Sequence, residues 1–373
     1  MNRTVAFAVF LASAFSFLFA ANAAEVATPN DTARFLAGLP PSAESPLAAL
    51  TQSPGWRQHA SAFGASFDNV EKNQTSKVRA WSQANVATTR SVLFYMFGGP
   101  DFLYANAFYP NASTYVLSGL EAVGEQPDVQ KLSPGAMTSA LEGLRGSLRS
   151  VLATSYFITS YMGHDLYRSR LTGTLPVLYV FLARTGHTIQ DVSLINLDAS
   201  GAVVPSDPSA PRDKRLTRGV KITFSGSDGA PRTLYYFSVD LANNRFKDSA
   251  FSQFCEKLNE GDALIKSASY LLHGSPFSLV RQFLLNHSST IVQDDTGIPI
   301  GVYDPGKWQL RPFGNYVRPI PVFSHMYQPK MQALFKGGNP SPIDFKVGYR
   351  WRPSQSSLIL AQKKTNSASS ASQ

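Results

Sequence analysis

LFYMFGGPDFLYANAFYPNASTYVLSGLE, residues 93–121, reads as strand, sharp turn, short helix, strand. Residues 92–97 are an unbroken apolar run of strand length, the pattern of a strand buried on both faces in a parallel sheet. Gly98-Gly99-Pro100 turns the chain, and Pro100 suits the first position of a helix, where its missing N–H would have no partner. Asp101, Phe102, Leu103 and Tyr104 open that helix, which ends near Tyr109-Pro110. Asn111-Ala112-Ser113 is the return loop, and residues 114–120 are the second buried strand. So compact a unit predicts a parallel sheet with a right-handed crossover.

The same parts make up a nucleotide-binding unit, in which a helix N-terminus meets phosphate and an acid, here Glu121, holds a ribose hydroxyl. The spacing argues against that use: Gly98 and Gly99 are adjacent, Pro100 follows, and no GxGxxG fingerprint is present. The likeness to methyltransferase and dinucleotide-binding folds is one of topology, and no cofactor is expected. Ligands of open parallel sheets sit beyond the carboxyl ends of the strands. That rule places Asp101, Glu121 and the loop 124–128 around one opening beside Gly98 and Gly99, which become candidate ligand-binding positions. Two carboxylates there can divide acid and base roles if their pKa values are pushed apart. The plainer structural reading has Asp101 cap the helix and Glu121 pair with an arginine.

Outward from this unit, residues 24–88 read as a helical N-terminal cap. Trp56, Ala60, Phe63, Phe67 and Val70 recur at steps of three and four after Ser53-Pro54, and Val78 and Trp81 face inward from a second helix over 76–87. Ser133-Pro134 starts a helix with Met137, Leu141, Leu144, Leu148 and Leu152 on one face, continuing to about residue 168. Residues 175–183 and 192–197 are expected as strands, and 198–218 as a polar loop. Residues 221–224 and 233–239 flank a glycine turn and predict a hairpin. Short helices over 251–258 and after Ser275-Pro276 precede a strand at 290–292. Residues 299–353, rich in Pro, Gly and aromatics, are expected as an irregular C-terminal wrap interrupted by one helix at 329–336. The expected fold is α/β, a Rossmann-like mixed sheet with a parallel core over residues 89–362, and residues 363–373 form a disordered tail.

The first 23 residues have the signature of a secretory signal peptide: Arg3 as positive n-region, a nearly unbroken apolar run over 5–20, and small residues in Ala21-Asn22-Ala23. The mature chain is therefore expected to be soluble, periplasmic or secreted, with no stable membrane anchor. Loss of Arg3 with the leader lowers the formal charge of +9 by one. The remaining basic residues are scattered without a continuous stripe, so no nucleic-acid footprint is predicted. The single cysteine, Cys255, forbids an intrachain disulfide and in its apolar setting reads as a small buried hydrophobe.

Asp295-Thr296-Gly297 resembles the three-residue core of the aspartic proteases. Ile298-Pro299 follow where those enzymes carry Ser, Thr or Ala, no second copy exists, and a turn is the better reading. Asp294 and Asp295 remain ligand-binding candidates, although EF-hand spacing for calcium is absent. None of the six histidines forms HExxH or another ligand spacing, so no metal is expected. His164, after Gly163 near a helix end, and His273 are candidate general bases, with a hydrogen-bonded structural role as the alternative.

The phrases FGGPDFLYANAFYPNASTYVLSGLE (97–121), SASYLLHGSPFSLVRQFLLNHSSTIVQDDTGIP (267–299), FGNYVRPIPVF (313–323) and VGYRW (347–351) resemble a family of exported bacterial proteins of uncharacterised function. The resemblance spans most of residues 91–362 and implies no activity. Two functions therefore compete. One is an envelope-associated enzyme, a hydrolase or transferase acting on a small molecule, with Asp101, Glu121 and His164 at the cleft. The other is a non-catalytic, envelope-maintenance or polymer-binding protein that presents Trp308, Tyr316, Tyr327 and Trp351 to an envelope polymer.

Overall fold

The structure is a computed structural model that describes residues 26–86, 89–157, 170–206 and 216–364. The expected leader, His164 and residues 365–373 of the expected tail lie outside the described residues.

Among the described residues ten strands form one sheet: β1 (Val92–Tyr95), β2 (Thr114–Gly119), β3 (Thr188–Leu197), β4 (Val203–Pro205), β5 (Thr217–Ser225), β6 (Pro231–Ser238), β7 (Gly261–Ile265), β8 (Ser288–Gln293), β9 (Trp308–Gly314) and β10 (Ser357–Lys363). Their order is β4-β3-β5-β6-β2-β1-β7-β8-β10-β9. The central strands β6-β2-β1-β7-β8 are parallel. Antiparallel strands extend the sheet on both sides. From β1 the chain steps through β2 to β6 on one side, then crosses back to β7 and β8 on the other. Winding direction thus reverses between β1 and β7, where an open sheet leaves a crevice at its carboxyl edge.

Alternation along β1 explains why its sequence shows no polar face. Leu93 and Tyr95 enter one apolar cluster and Val92, Phe94 and Met96 another. The first cluster also holds Phe35, Trp56, Phe63, Phe67, Val78, Trp81, Leu141 and Leu148, from the helices Pro29–Leu36, Pro54–Val70, Ser76–Asn85 and Pro134–Thr154. The second takes Phe246, Phe251, Cys255, Val280 and Phe283 from the helices Asn243–Phe246, Ala250–Glu256 and Ser278–His287. The centre of the sheet, β2-β1-β7, is buried on both faces, as the apolar runs of β1 and β2 require. Cys255 is fully buried, and burial holds its thiol pKa well above the ordinary value. The β5–β6 hairpin forms with Ser225 opposite Pro231, and Arg232 grips Asp228 of its turn with two hydrogen bonds of 2.8 and 2.6 Å.

Two expectations are corrected. Residues 175–183, expected as a strand, form the helix Leu175–Arg184 behind Pro176, with every residue from 175 to 183 buried. A helix enclosed on all sides needs no polar face, so its sequence carries no period to distinguish it from a buried strand. The expected irregular wrap contains β9, which pairs with β10 in the very stretch that borders the expected tail. Pro312 lies within β9, and the edge position of that strand accommodates it because an edge leaves one row of backbone groups unpaired.

At the start of β7, far along the strand from its carboxyl end, Asp262 is fully buried and accepts from the Arg90 N–H at 2.7 Å. Burial raises its pKa to about 6, against a partial offset from the Arg90 N–H. A carboxyl with a raised folded-state pKa contributes stability that is complete below its unfolded value near 4 and is lost as pH rises through 6. Asp262→Asn keeps the acceptor and sheds the charge. Its stability relative to wild type should therefore rise between pH 4 and pH 7, by roughly 2–3 kcal/mol. Urea unfolding at both pH values measures this, and a difference independent of pH would contradict it.

Candidate functional site

At the carboxyl ends of the parallel strands lies a cavity of about 210 Å³. Its wall is built from the turn after β1 (Phe97, Gly98, Gly99), the end of β2 (Ser118 to Glu121), the segment after β6 (Val239 to Leu241) and the segment after β7 (Lys266 to Ser269). Tyr156, Phe157, Leu271, Phe277 and Tyr349 complete its aromatic and apolar sides.

Asp101 and Lys266 are the buried charges of this wall, and Nζ lies 3.1 Å from Oδ2. Asp101 caps the helix Phe102–Phe108 by accepting from the Tyr104 N–H at 3.1 Å, and its other oxygen accepts from the Tyr95 hydroxyl at 2.9 Å. Burial and the Asp101 charge keep the Tyr95 pKa far above its ordinary value, so Tyr95 remains a donor. Lys266 also donates to the Ser155 carbonyl and lies 4.4 Å from the centre of the Tyr104 ring. Ser155, at φ 78°, closes the helix Pro134–Thr154, whose C-terminal dipole favours a cation. One ammonium thus joins β7, the β1 turn and a long helix. Without these partners a buried charge of either sign would be costly.

Glu121 stands at the end of β2, half-buried. The Tyr236 hydroxyl donates to its carbonyl at 2.9 Å and, more weakly, to Oε2 at 3.4 Å. Among the described residues no basic side chain pairs with it, and burial pushes its pKa up. The glycines explain how the carboxylate is left room. Gly99 has φ +59° and its N–H donates to the Ser118 carbonyl at 3.0 Å, while a Cβ on Gly119 would collide with Glu121. Bare backbone on both strands lets the β1 turn lie against β2 beside the carboxylate.

The segment after β7 is the least ordinary backbone of the site. Ser267, Ser269 and Tyr270 adopt left-handed φ of 56°, 51° and 56° without being glycine. Buried hydrogen bonds hold them. Asp294 accepts from the Ser267 N–H at 2.8 Å, Thr296 Oγ1 accepts from the Ala268 N–H at 2.7 Å, and the Tyr270 hydroxyl donates to Asp295 at 2.6 Å. Ser269 donates to the Tyr349 hydroxyl at 2.7 Å, which donates onward to the Ser267 carbonyl at 2.7 Å. Asp295 is paired with Arg350 at 3.2 Å. Burial and the neighbouring Asp295 raise the pKa of Asp294, and burial, opposed by Arg350, raises that of Asp295.

Comparison with protein-family models, with curated proteins and with solved structures found no match.

Of the residues picked out by sequence, Asp101, Glu121, Gly98 and Gly99 converge on the cavity. Asp294 and Asp295 lie behind its wall, where their oxygens hold the left-handed segment and its neighbours, and the protease-like triplet is a buried turn. His164 lies outside the described residues. His273 is not part of the cavity wall; burial lowers its pKa to about 4, and its ring packs against Tyr270 at 5.1 Å. Of the four aromatics expected on a binding surface, Trp308 and Tyr316 are core residues, while Trp351 is 69% exposed and Tyr327 38%. Sequence reasoning missed Lys266, Tyr95, Ser267 and Asp240. Lys266 had a signal: one lysine inside ALIKSASYLL, an otherwise apolar and small-residue run, needs an acid if that run is buried.

Proposed function

We propose that this chain is an exported, envelope-associated enzyme of the hydrolase or transferase kind. In this reading a Rossmann-like core, capped by the helices before residue 86 and wrapped by the C-terminal segment, takes a small-molecule substrate in the cleft between β1 and β7. The observation that carries the reading is the left-handed run of Ser267, Ser269 and Tyr270 in or beside the cavity wall. Non-glycine residues held in this region cost on the order of 1–3 kcal/mol each and persist where surrounding structure over-determines them. Here a network of hydrogen bonds from the end of β8 and from Tyr349 holds a backbone shape that lines the cleft. Glu121 supports a catalytic use, because burial raises its pKa and among the described residues no cation pairs with it, which suits a carboxyl to proton transfer.

Leu120 is 71% exposed at the cleft, so Leu120→Trp fills the cavity mouth without disturbing the core. Ligand-observed NMR with a mixed library of neutral, cationic and anionic fragments should find binders to the wild type. Their signals should fall at least tenfold with Leu120→Trp at unchanged thermal stability. Binding that ignores the substitution, or no binder at all, would defeat the cleft as the functional site.

A further inference from the structure

Net charge and exposed apolar side chains meet in one part of the molecule. Residues 305–373 hold ten lysines and arginines against one acid, Asp344, and so carry the chain's entire formal charge of +9, while residues 1–304 hold twenty-four of each sign. Arg350 and Lys363 pair with Asp295 and Glu260, and Asp344 pairs with Lys77. Arg318, Lys330 and Arg352 are exposed and have no acidic partner among the described residues. The same segment carries Val322 at 70% exposure, Trp351 at 69% and Tyr327 at 38%. The short helical stretch Pro321–Met326, mostly apolar, buries none of its residues.

Contacts bring these side chains together. Arg350 donates to the Arg318 carbonyl, and the Phe323 ring lies 5.6 Å from that of Tyr349, so residues 349–352 lie beside residues 318–323. The Arg318 guanidinium is 5.4 Å from the centre of the Tyr327 ring, which stacks on Tyr316. The buried Arg350–Asp295 pair and the 2.9 Å bond from the Gln328 amide to the Asp295 carbonyl tie both stretches to the end of β8. The surface is therefore held in place before anything binds it, which lowers the entropy cost of docking.

We propose that this surface docks the protein peripherally on an anionic phospholipid bilayer, with Trp351 and Val322 entering the acyl boundary and Arg318, Lys330 and Arg352 meeting headgroup phosphates. A bilayer surface offers anions directly above hydrocarbon, and tryptophan is favoured at that depth. A soluble polyanion would answer the cations and leave Val322 and Trp351 in water. Among the described residues no helix is long and apolar enough to cross a membrane, so the attachment is by surface side chains. The inference goes beyond the cleft and needs no chemistry there; its failure would leave fragment binding in the cleft untouched.

The chain reports its own docking. Of its four tryptophans Trp56, Trp81 and Trp308 are buried, so a change of emission on binding comes from Trp351. Vesicles of phosphatidylglycerol mixed with phosphatidylcholine should sediment the wild-type chain and shift its emission to the blue, and added salt should weaken both effects. Trp351→Ala with Val322→Ser, and separately Arg318→Gln with Arg352→Gln, should each lower vesicle partition roughly tenfold or more at an unchanged melting temperature. Equal partition onto phosphatidylcholine alone, unmoved emission, or partition that either pair of substitutions leaves intact overturns the proposal. Retention on heparin without vesicle binding identifies a soluble polyanion as the occupant and also overturns it. Should a pair lower the melting temperature, Trp351→Ala alone decides: lost partition supports the bilayer, and retained partition overturns it.

Discussion

Lys266→Met should destabilise the protein by about 3–5 kcal/mol, the cost of leaving one charge of a buried pair without its partner. Asp101 would keep the Tyr95 hydroxyl and the Tyr104 N–H but lose the ammonium 3.1 Å away, and the Ser155 carbonyl would lose its donor. The informative companion is Asp101→Asn with Lys266→Met. That pair removes both charges while the amide oxygen of the new side chain can still accept from the Tyr104 N–H. Replacing a whole buried pair is often neutral where breaking it is not, so the double variant should recover about half or more of the loss. Urea unfolding of the two single variants and the double variant closes the cycle. If the Lys266 single variant stays within about 1 kcal/mol of wild type, the ammonium is not the desolvated junction described above.

Asp294→Ala should act on both the fold and the cleft. It removes the acceptor for the Ser267 and Thr296 N–H groups, both at 2.8 Å, and for the Thr296 hydroxyl. Leaving two buried N–H groups unpaired costs about 2–5 kcal/mol. More specifically, the left-handed segment loses the contact that fixes its first residue. Fragment binding in the cleft should therefore vanish at temperatures where circular dichroism still reports a folded protein. Cleft binding that persists in a folded Asp294→Ala variant would show that the segment holds its shape without that carboxylate, and would remove the main support for the proposed function.

How far the site was legible depends on sequence distance. Asp101 and Glu121 belong to one strand-helix-strand unit, and the rule that ligands gather beyond strand ends brings them together from local pattern alone. Lys266 was not assigned, because its partner is fixed by β7 pairing with β1, a contact between distant segments. The Asp294-Asp295 pair drew attention as a chemical motif for the same reason. Its carboxylates answer the Ser267 N–H and the Tyr270 hydroxyl, which no local spacing reveals. Proline signals proved local and dependable at Ser53-Pro54 and Ser133-Pro134, where the serine caps accept from the Trp56 and Ala136 N–H groups. The apolar run after Thr174 offered no such guide to its own type beyond Pro176.

By itself the sequence determined the two buried parallel strands around residues 93–121, the helices with one apolar face, and the hairpin at Gly226 to Gly229. Each of these follows from backbone geometry and burial acting within a few residues of one another. Tertiary structure alone decided the order β6-β2-β1-β7-β8, the helical state of Leu175–Arg184, and the meeting of Asp101 with Lys266 beneath a left-handed segment held by Asp294. Those outcomes depend on which distant strands become neighbours. Desolvation then chooses among the polar groups so assembled, because a charge or N–H taken from water must find its partner wherever the fold has carried it.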